Sequence, residues 1–244
     1  MSSQLNIVKT PEGYIALCQD TPLEITQEWF SVDFWREKAA VVGSSKGRYT
    51  TWFVESNGNQ WVLRHYWRGG LMGKFSKDAY MYTGLENTRA MGELRLLDIL
   101  YREHFAVPKP IAVNIVRDSI FYRADIIIER VEGAEDLVAK LSKGAMNEQQ
   151  WQTLGACIAK FHRRGVYHAD LNAKNILCQP AEVNGEECFY LIDFDRGELR
   201  TPNQGWQQAN LDRLLRSFNK EQGKEPNLAF TPDNWAALVK GYQG

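Results

Sequence analysis

Two short runs carry side chains of the types needed to move a phosphoryl group: His168-Ala-Asp170-Leu-Asn-Ala-Lys174-Asn175 and, beyond a further apolar stretch, Leu191-Ile-Asp193-Phe194. Phosphoryl transfer asks little covalent chemistry of a protein; it needs an oriented hydroxyl and neutralised phosphate charge. Asp170 can orient and deprotonate that hydroxyl. Asn175, five residues on, and Asp193, at the end of the next strand-like run, are oxygen donors suited to hard, octahedral Mg²⁺, which they would clamp onto the phosphates of ATP. The plain alternative is a loop whose His, Asp and Asn only satisfy backbone groups, and the downstream Asp-Phe weighs against it. His168 is read as structural, holding the catalytic loop to the metal loop, and His162 as a core histidine. Lys174 can neutralise charge on the phosphoryl group in flight, with an ordinary solvated lysine as the alternative.

These groups are useful only if the surrounding elements bring them together. Two Asn-Gly pairs mark hairpins, because both central residues of a type I′ turn need positive φ. Asn57-Gly58 joins the aromatic and β-branched runs 49–54 and 60–65; Asn184-Gly185 joins 175–178 to 188–192. The second hairpin has Asn175 at its entry and Asp193 at its exit, so it returns both metal ligands to one end of a sheet element. Between the hairpins, residues 88–103 repeat apolar side chains at Met91, Leu94, Leu97 and Leu100, widened by Leu96 and Ile99, which is an amphipathic helix. Strands are expected at 111–116 and 119–128, and a lobe boundary near Glu129. A helix runs from Asn147 to Arg164, opened by the capping box Asn147-x-x-Gln150 and stopped by Gly165, with Trp151, Leu154, Ile158 and Phe161 as its core face. Later helices are expected over 207–220 and 233–242. There are no repeats or low-complexity tracts. The order predicts an α+β protein of the protein-kinase-like, two-lobed kind: an N-terminal lobe over 1–130 with glycine loop, β-hairpin and helix, and a mostly helical C-terminal lobe over 131–244 with the catalytic and metal-binding loops. ATP would bind in the cleft.

The rest of the nucleotide site is read with departures from the protein-kinase pattern. Val41-Val-Gly43-Ser-Ser-Lys46-Gly47-Arg48 precedes the first hairpin, and Gly43, Gly47 and Arg48 are candidate phosphate contacts, although Gly-x-Gly-x-x-Gly spacing is absent and Tyr49 stands where another glycine is expected. A surface turn is the alternative. The third strand normally ends Val-Ala-x-Lys; here it reads Trp61-Val-Leu-Arg64. Arg64 can contact the α- and β-phosphates and pair with Glu93 on the helix, the alternative being a surface charge with Glu93 paired to Arg89. Glu129, at the lobe boundary, is also placed in the nucleotide site. The metal loop reads Asp193-Phe194-Asp195 where glycine is usual third, which argues against large switching of that loop.

About a dozen residues separate Asp193 from Trp206 and no Ala-Pro-Glu follows, leaving little room for a peptide platform, so a small-molecule hydroxyl is the better acceptor. Arg64-His-Tyr-Trp-Arg68-Gly-Gly-Leu-Met-Gly-Lys74-Phe-Ser-Lys77 packs cations with aromatics and glycines, which suits an anionic acceptor or an acidic membrane surface; a solvated loop is the alternative. The chain has 244 residues and a net charge of −1, so no global field draws it to nucleic acid or membrane. Cys18, Cys157, Cys178 and Cys188 show no metal-ligand spacing and read as reduced packing residues of a cytosolic protein. The N-terminus has no signal-peptide pattern, and no stretch approaches the roughly eighteen apolar residues that span a bilayer. A soluble or peripheral protein is expected.

Arg64-His65-Tyr66-x-Arg68-Gly69-Gly70-Leu71, Gly165-Val-Tyr-His168-Ala-Asp170-Leu-Asn172-Ala-x-Asn175-Ile-Leu177 and Asn210-Leu-x-Arg213-Leu-x-Arg216-Ser217 together resemble the 3-deoxy-D-manno-octulosonic acid (Kdo) kinases, akin to the lipopolysaccharide core heptose kinases. The resemblance covers nearly the whole chain; the middle block is shared more widely among kinase-like folds. It implies ATP- and Mg²⁺-dependent phosphorylation of the 4-hydroxyl of Kdo on a Kdo-bearing lipid A precursor, at the cytoplasmic face of the bacterial inner membrane. Asp170 would be the base, and Asn175 and Asp193 the metal ligands. Arg68, Lys74 and Arg213 are guesses at sugar contacts from charge alone. Neither nucleic acid nor a protein partner is expected. Two rivals stay open: a small-molecule phosphotransferase of the aminoglycoside or choline kinase type, disfavoured by the cationic loop, and a non-catalytic ATP-binding pseudokinase, disfavoured by retention of Asp170, Asn175 and Asp193.

Overall fold

The computed structural model describes residues 5–19, 21, 24–46, 50–68, 78–181 and 187–244. The Asn184-Gly185 turn and the stretches 47–49 and 69–77, with Gly47, Arg48 and Lys74, lie outside the described residues. The chain divides into two units, Met1–Glu103 with Pro108–Arg130, and His104–Val107 with Val131–Gly244. His104–Val107 falls within the expected first lobe yet groups with the second unit, for a packing reason. Phe105 meets Phe161 edge-on at 4.9 Å, Lys160 Nζ donates to the His104 carbonyl at 3.0 Å, and Leu191 N–H donates to the Ala106 carbonyl at 3.0 Å.

The first unit consists, in chain order, of β1 (Leu5–Thr10), β2 (Gly13–Cys18), α1 (Val32–Glu37), β3 (Val41–Lys46), β4 (Thr50–Ser56), β5 (Asn59–His65), β6 (Tyr80–Met81), α2 (Arg89–Arg102), β7 (Pro110–Asp118) and β8 (Phe121–Glu129). Its antiparallel sheet has the order β1-β2-β7-β8-β5-β4-β3, with β6 also on β8. Asn57 (φ +53°) and Gly58 (φ +76°) form the expected turn between β4 and β5. Strand alternation then separates two faces. Trp61 and Leu63 point into a cluster with Trp35 of α1, sealed by a 2.7 Å bond from Trp35 Nε1 to the Trp29 carbonyl. Arg64 points the other way, where α2 lies. That helix opens on Thr88, whose hydroxyl accepts from Met91 N–H, and its apolar stripe is buried as expected apart from the half-buried Ile99.

The second unit contains β9 (Glu135–Asp136), α3 (Leu137–Lys143), α4 (Glu148–Arg164), β10 (Val166–Tyr167), β11 (Ile176–Gln179), β12 (Cys188–Leu191), β13 (Glu198–Leu199), α5 (Gln204–Lys224) and α6 (Pro232–Gln243). The capping box at Asn147 and Gln150 and the left-handed Gly165 (φ +86°) bound α4 where the sequence places them. α4 and α6 touch backbone to backbone: a Cβ on Gly155 would lie 2.0 Å from the Leu238 carbonyl oxygen, and one on Gly241 2.0 Å from that of Gln152. α5 extends beyond the expected 207–220 because Asn203 caps it at Gly205 N–H and its last turn is polar. The β1–β2 hairpin, α1, β3 and α3 are elements the sequence reading did not foresee. Among the described residues no helix is long and apolar enough to cross a membrane. The cysteines are free thiols, and burial pushes Cys157 and Cys178 up to about 12, so both stay protonated.

Candidate active site

The loop after β10 is held from both ends. His168 Nε2 lies 3.0 Å from the Ile192 carbonyl oxygen, and its Nδ1 accepts the Asp170 N–H at 3.2 Å. That arrangement needs the neutral imidazole protonated on Nε2, and burial favours it by pulling the His168 pKa down. The Ile192 N–H donates to the Asn175 carbonyl at 3.0 Å. One residue of backbone thus ties both loops together, and the β11–β12 register, Ile176 opposite Leu191, carries Asn175 and Asp193 to the same end of that hairpin. Phe194, fully buried, packs on His168 at 4.7 Å and Phe161 at 6.2 Å and anchors the second loop. Asp193 takes φ +62°, a conformation costly for a non-glycine residue.

Asn172 works as an internal brace. Its Oδ1 accepts from the N–H groups of Lys174 and Asn175, and its Nδ2 donates to the Asp170 carbonyl at 3.0 Å and to Asp170 Oδ2 at 3.2 Å. Arg213 Nη1 holds the other oxygen, Oδ1, at 3.1 Å, and the Asp170 side chain remains 51% exposed. Helix α5 lies along this whole loop. Asn210 Oδ1 accepts the His168 N–H at 3.3 Å, Arg213 reaches Asp170, Ser217 Oγ accepts the Ala173 N–H at 2.9 Å, and Glu221 lies 3.5 Å from Lys174 Nζ. Positions 210, 213, 217 and 221 share one helical face. The sequence reading singled out this block but missed its bracing role; the i, i+3, i+7 spacing of Asn210, Arg213 and Ser217 was the available signal.

The oxygen donors fit a hard divalent cation. Asn175 Nδ2 donates to the Asp170 carbonyl at 3.0 Å, which leaves Oδ1 without a partner among the described residues, beside the loop that carries the Asp193 carboxylate. Groups of three or more His, Cys, Asp or Glu side chains that could hold a metal ion are absent among the described residues.

In the first unit Arg64 Nη2 lies 2.5 Å from Glu93 Oε1, and the Tyr66 hydroxyl donates to Oε2 at 2.6 Å. Glu93 is 2% exposed and Arg64 21%. Arg64, not a surface charge, is therefore a partner of the buried helix carboxylate; Tyr66 as second donor escaped the sequence reading, though it sits in the same motif. Gly43 does not lie in a loop. It is a strand residue of β3 opposite Phe53, next to an irregularity in the β3–β4 register between Val41 and Gly43. Glu129 ends β8 with its N–H on the Lys109 carbonyl at 2.8 Å, and the Arg130 N–H is on Gln60 at 2.9 Å, so neither amide is open to a nucleotide base. Arg68 Nη1 donates to the Ala79 carbonyl at 2.9 Å and its guanidinium lies 5.3 Å from the Tyr80 ring centre.

Comparison with known proteins identifies the family. Residues 32–242 match the model of the lipopolysaccharide kinase (Kdo/WaaP) family. A 3-deoxy-D-manno-octulosonic acid kinase of Haemophilus influenzae (strain PittEE) is 44% identical over 228 residues, covering 91% of this chain and 93% of its own. One from Photobacterium damsela subsp. piscicida is 39% identical over 237 residues, covering 97% and 96%. Among solved structures, that of WaaP in complex with acyl carrier protein superposes with a TM-score of 0.56 at 15% identity, covering 84% of this chain and 80% of that one, a likeness of fold. With a family match over most of its length and relatives of this identity end to end, the chain belongs to the lipopolysaccharide kinase (Kdo/WaaP) family.

Proposed function

We propose that the protein transfers the γ-phosphoryl group of ATP to the 4-hydroxyl of Kdo on a Kdo-bearing lipid A precursor, a step of lipopolysaccharide inner-core synthesis. The observation that carries this reading is the setting of Asp170: backbone fixed on His168, one carboxylate oxygen on Asn172, the other on Arg213, and half of the side chain open to solvent. Such a carboxylate can orient an acceptor hydroxyl and accept its proton as the oxygen attacks the γ-phosphorus and the bond to the ADP oxygen breaks. Arg213 and Asn172 keep the carboxylate in one rotamer, so the hydroxyl meets a preset acceptor. Asn175 and Asp193 would hold Mg²⁺, which when bound supplies positive charge against the phosphates. Arg64, kept in place by Glu93, is the proposed contact to the nucleotide phosphates. Lys174, whose Nζ lies nearest Glu221, serves the phosphoryl group only after leaving that carboxylate.

The relatives' name supports Kdo as acceptor, and the acceptor's carboxylate and lipid phosphates suit a chain whose cations are local rather than global. We further propose peripheral contact with the anionic cytoplasmic face of the inner membrane through the basic stretch that begins at Arg64, most of which lies outside the described residues. The test is transfer of labelled γ-phosphate from Mg-ATP to Kdo-bearing lipid A precursor, run beside the precursor lacking Kdo and beside Asp170→Ala. Transfer confined to the Kdo-bearing lipid, with Asp170→Ala slower by roughly 10² to 10⁴ at unchanged ATP affinity, is expected. ATP binding without transfer to any acceptor would make the protein a pseudokinase.

A further inference from the structure

An open cleft of about 590 Å³ in the second unit is lined by three arginines, Arg196, Arg200 and Arg213, together with Tyr167 and Glu198. Two of the arginines are engaged. Arg200 lies over the Tyr167 ring at 3.5 Å and pairs with Glu198, a wall built on the β10–β13 pairing and on the bond from Arg200 N–H to the Gly165 carbonyl at 2.7 Å. Arg213 reaches Asp170. Arg196 is exposed and makes no hydrogen bond or ion pair with any described residue. Its backbone takes φ +62° as third residue of a turn closed by a 2.7 Å bond from Gly197 N–H to the Phe194 carbonyl. That turn position ordinarily takes glycine or asparagine. A long cation kept where its own Cβ is penalised, directed to a cleft that also holds the catalytic carboxylate's arginine, is an outlier that points to a ligand.

We propose that this cleft recognises the carboxylate of the acceptor sugar acid, with Arg196 supplying the main fork and Arg213 shared between that carboxylate and Asp170. The assignment deepens the kinase reading above and rests on it. A guanidinium presents parallel N–H donors that match both oxygens of a carboxylate. Because Arg213 already bonds Asp170, a carboxylate drawn to the same guanidinium arrives one side chain from the base, and a hydroxyl of the same sugar ring comes within its reach. Sugars without a carboxyl group lack the group that this pair of arginines matches.

Arg196→Gly is the decisive variant, since glycine accepts the turn's φ and the fold should melt no lower than the parent. Its kinetics would be measured with Mg-ATP and three acceptors: Kdo-bearing lipid A precursor, the same lipid with the Kdo carboxyl methyl-esterified, and the same lipid with its phosphates removed. Lys220→Ala, exposed on α5 and outside the cleft, controls for net charge. The acceptor KM should rise about tenfold to a hundredfold in Arg196→Gly with the KM for ATP unmoved, Arg196→Lys should recover part of the loss, and the loss should vanish on the methyl ester while persisting on the dephosphorylated lipid. An unchanged KM, a loss that persists on the ester, or one that disappears with the lipid phosphates overturns the assignment. Calorimetric binding of free Kdo to the parent and to Arg196→Gly reads the cleft without turnover. If the parent transfers nothing but binds Kdo, and the variant does not, the function proposed above fails and the cleft stands; equal binding by both sinks the cleft.

Discussion

Arg64→Met removes a donor to a carboxylate that is 2% exposed and that also accepts from the Tyr66 hydroxyl. Deleting one partner of a buried ion pair costs about 3–5 kcal/mol. Here Arg64 is itself 21% exposed and the Tyr66 hydroxyl stays on Oε2, so about 2–3 kcal/mol is expected. Glu93→Leu should cost less, about 1–2 kcal/mol, because the guanidinium can swing to water, though the Tyr66 hydroxyl loses its acceptor. In the double variant Arg64→Met/Glu93→Leu the tyrosine penalty recurs and cancels from the cycle, leaving a pair coupling of about 2–3 kcal/mol. Urea unfolding at pH 7, with slopes compared across the four proteins, measures it. Arg95→Met, which breaks a pair with the largely exposed Glu86, should stay within about 0.5 kcal/mol of the parent. Arg64→Lys should retain most of the stability, since a single ammonium still meets Oε1. If Arg64→Met proves no more costly than Arg95→Met, Glu93 does not depend on Arg64 and the pair is not a fixed part of the fold.

Gly165→Ala should destabilise by more than about 2 kcal/mol, since the residue holds φ +86° and a Cβ would sit 2.1 Å from the Arg200 carbonyl oxygen; thermal melting reads it, and the wall of the arginine cleft should loosen with it. Burial pulls His162 down to about 4, so between pH 6.5 and 4 the unfolded chain binds a proton that the folded chain refuses, and stability should fall by up to about 1.4 kcal/mol per pH unit as pH drops. His65 works oppositely: burial lowers it, but the Asp125 and Asp78 carboxylates on its two ring nitrogens raise it overall, so its contribution is full below about 6.5 and fades as pH rises through the raised value. Denaturation of the parent and of His162→Gln across pH 4 to 8 separates the two, and an acid slope undiminished in His162→Gln would refute the assignment. Activity on the lipid-linked acceptor should fall with rising ionic strength, more than activity on a soluble Kdo acceptor; equal salt dependence would count against membrane contact.

The helices and the first hairpin were legible wherever the deciding interactions are local. The capping box at Asn147, the glycine stop at Gly165, the stripe on α2 and the turn at Asn57-Gly58 depend on residues within a turn or two of each other, and the structure places them where periodicity and turn chemistry do. Gly43 belongs to a strand and not a loop, a placement the sequence could not give because a glycine before a hairpin looks the same in a loop as in an irregular strand; only pairing with β4 distinguishes them. The helix α1 was missed because its six residues are helical for the sake of a Trp29, Trp35 and Trp61 cluster assembled from three parts of the chain.

By itself, then, the sequence determined the side chains on offer: a carboxylate at Asp170, oxygen donors at Asn175 and Asp193, an arginine at position 64, and the family to which their spacing belongs. Side-chain identity and short-range spacing suffice for that, since reactivity resides in the groups themselves. The tertiary structure alone decided how those groups are held and which neighbours act with them. That α5 braces residues 168–174 from more than forty positions away, that Glu93 answers to Tyr66 as well as Arg64, and that Arg196 has no partner among the described residues in a turn of positive φ all follow from long-range packing, which brings together groups no local pattern relates.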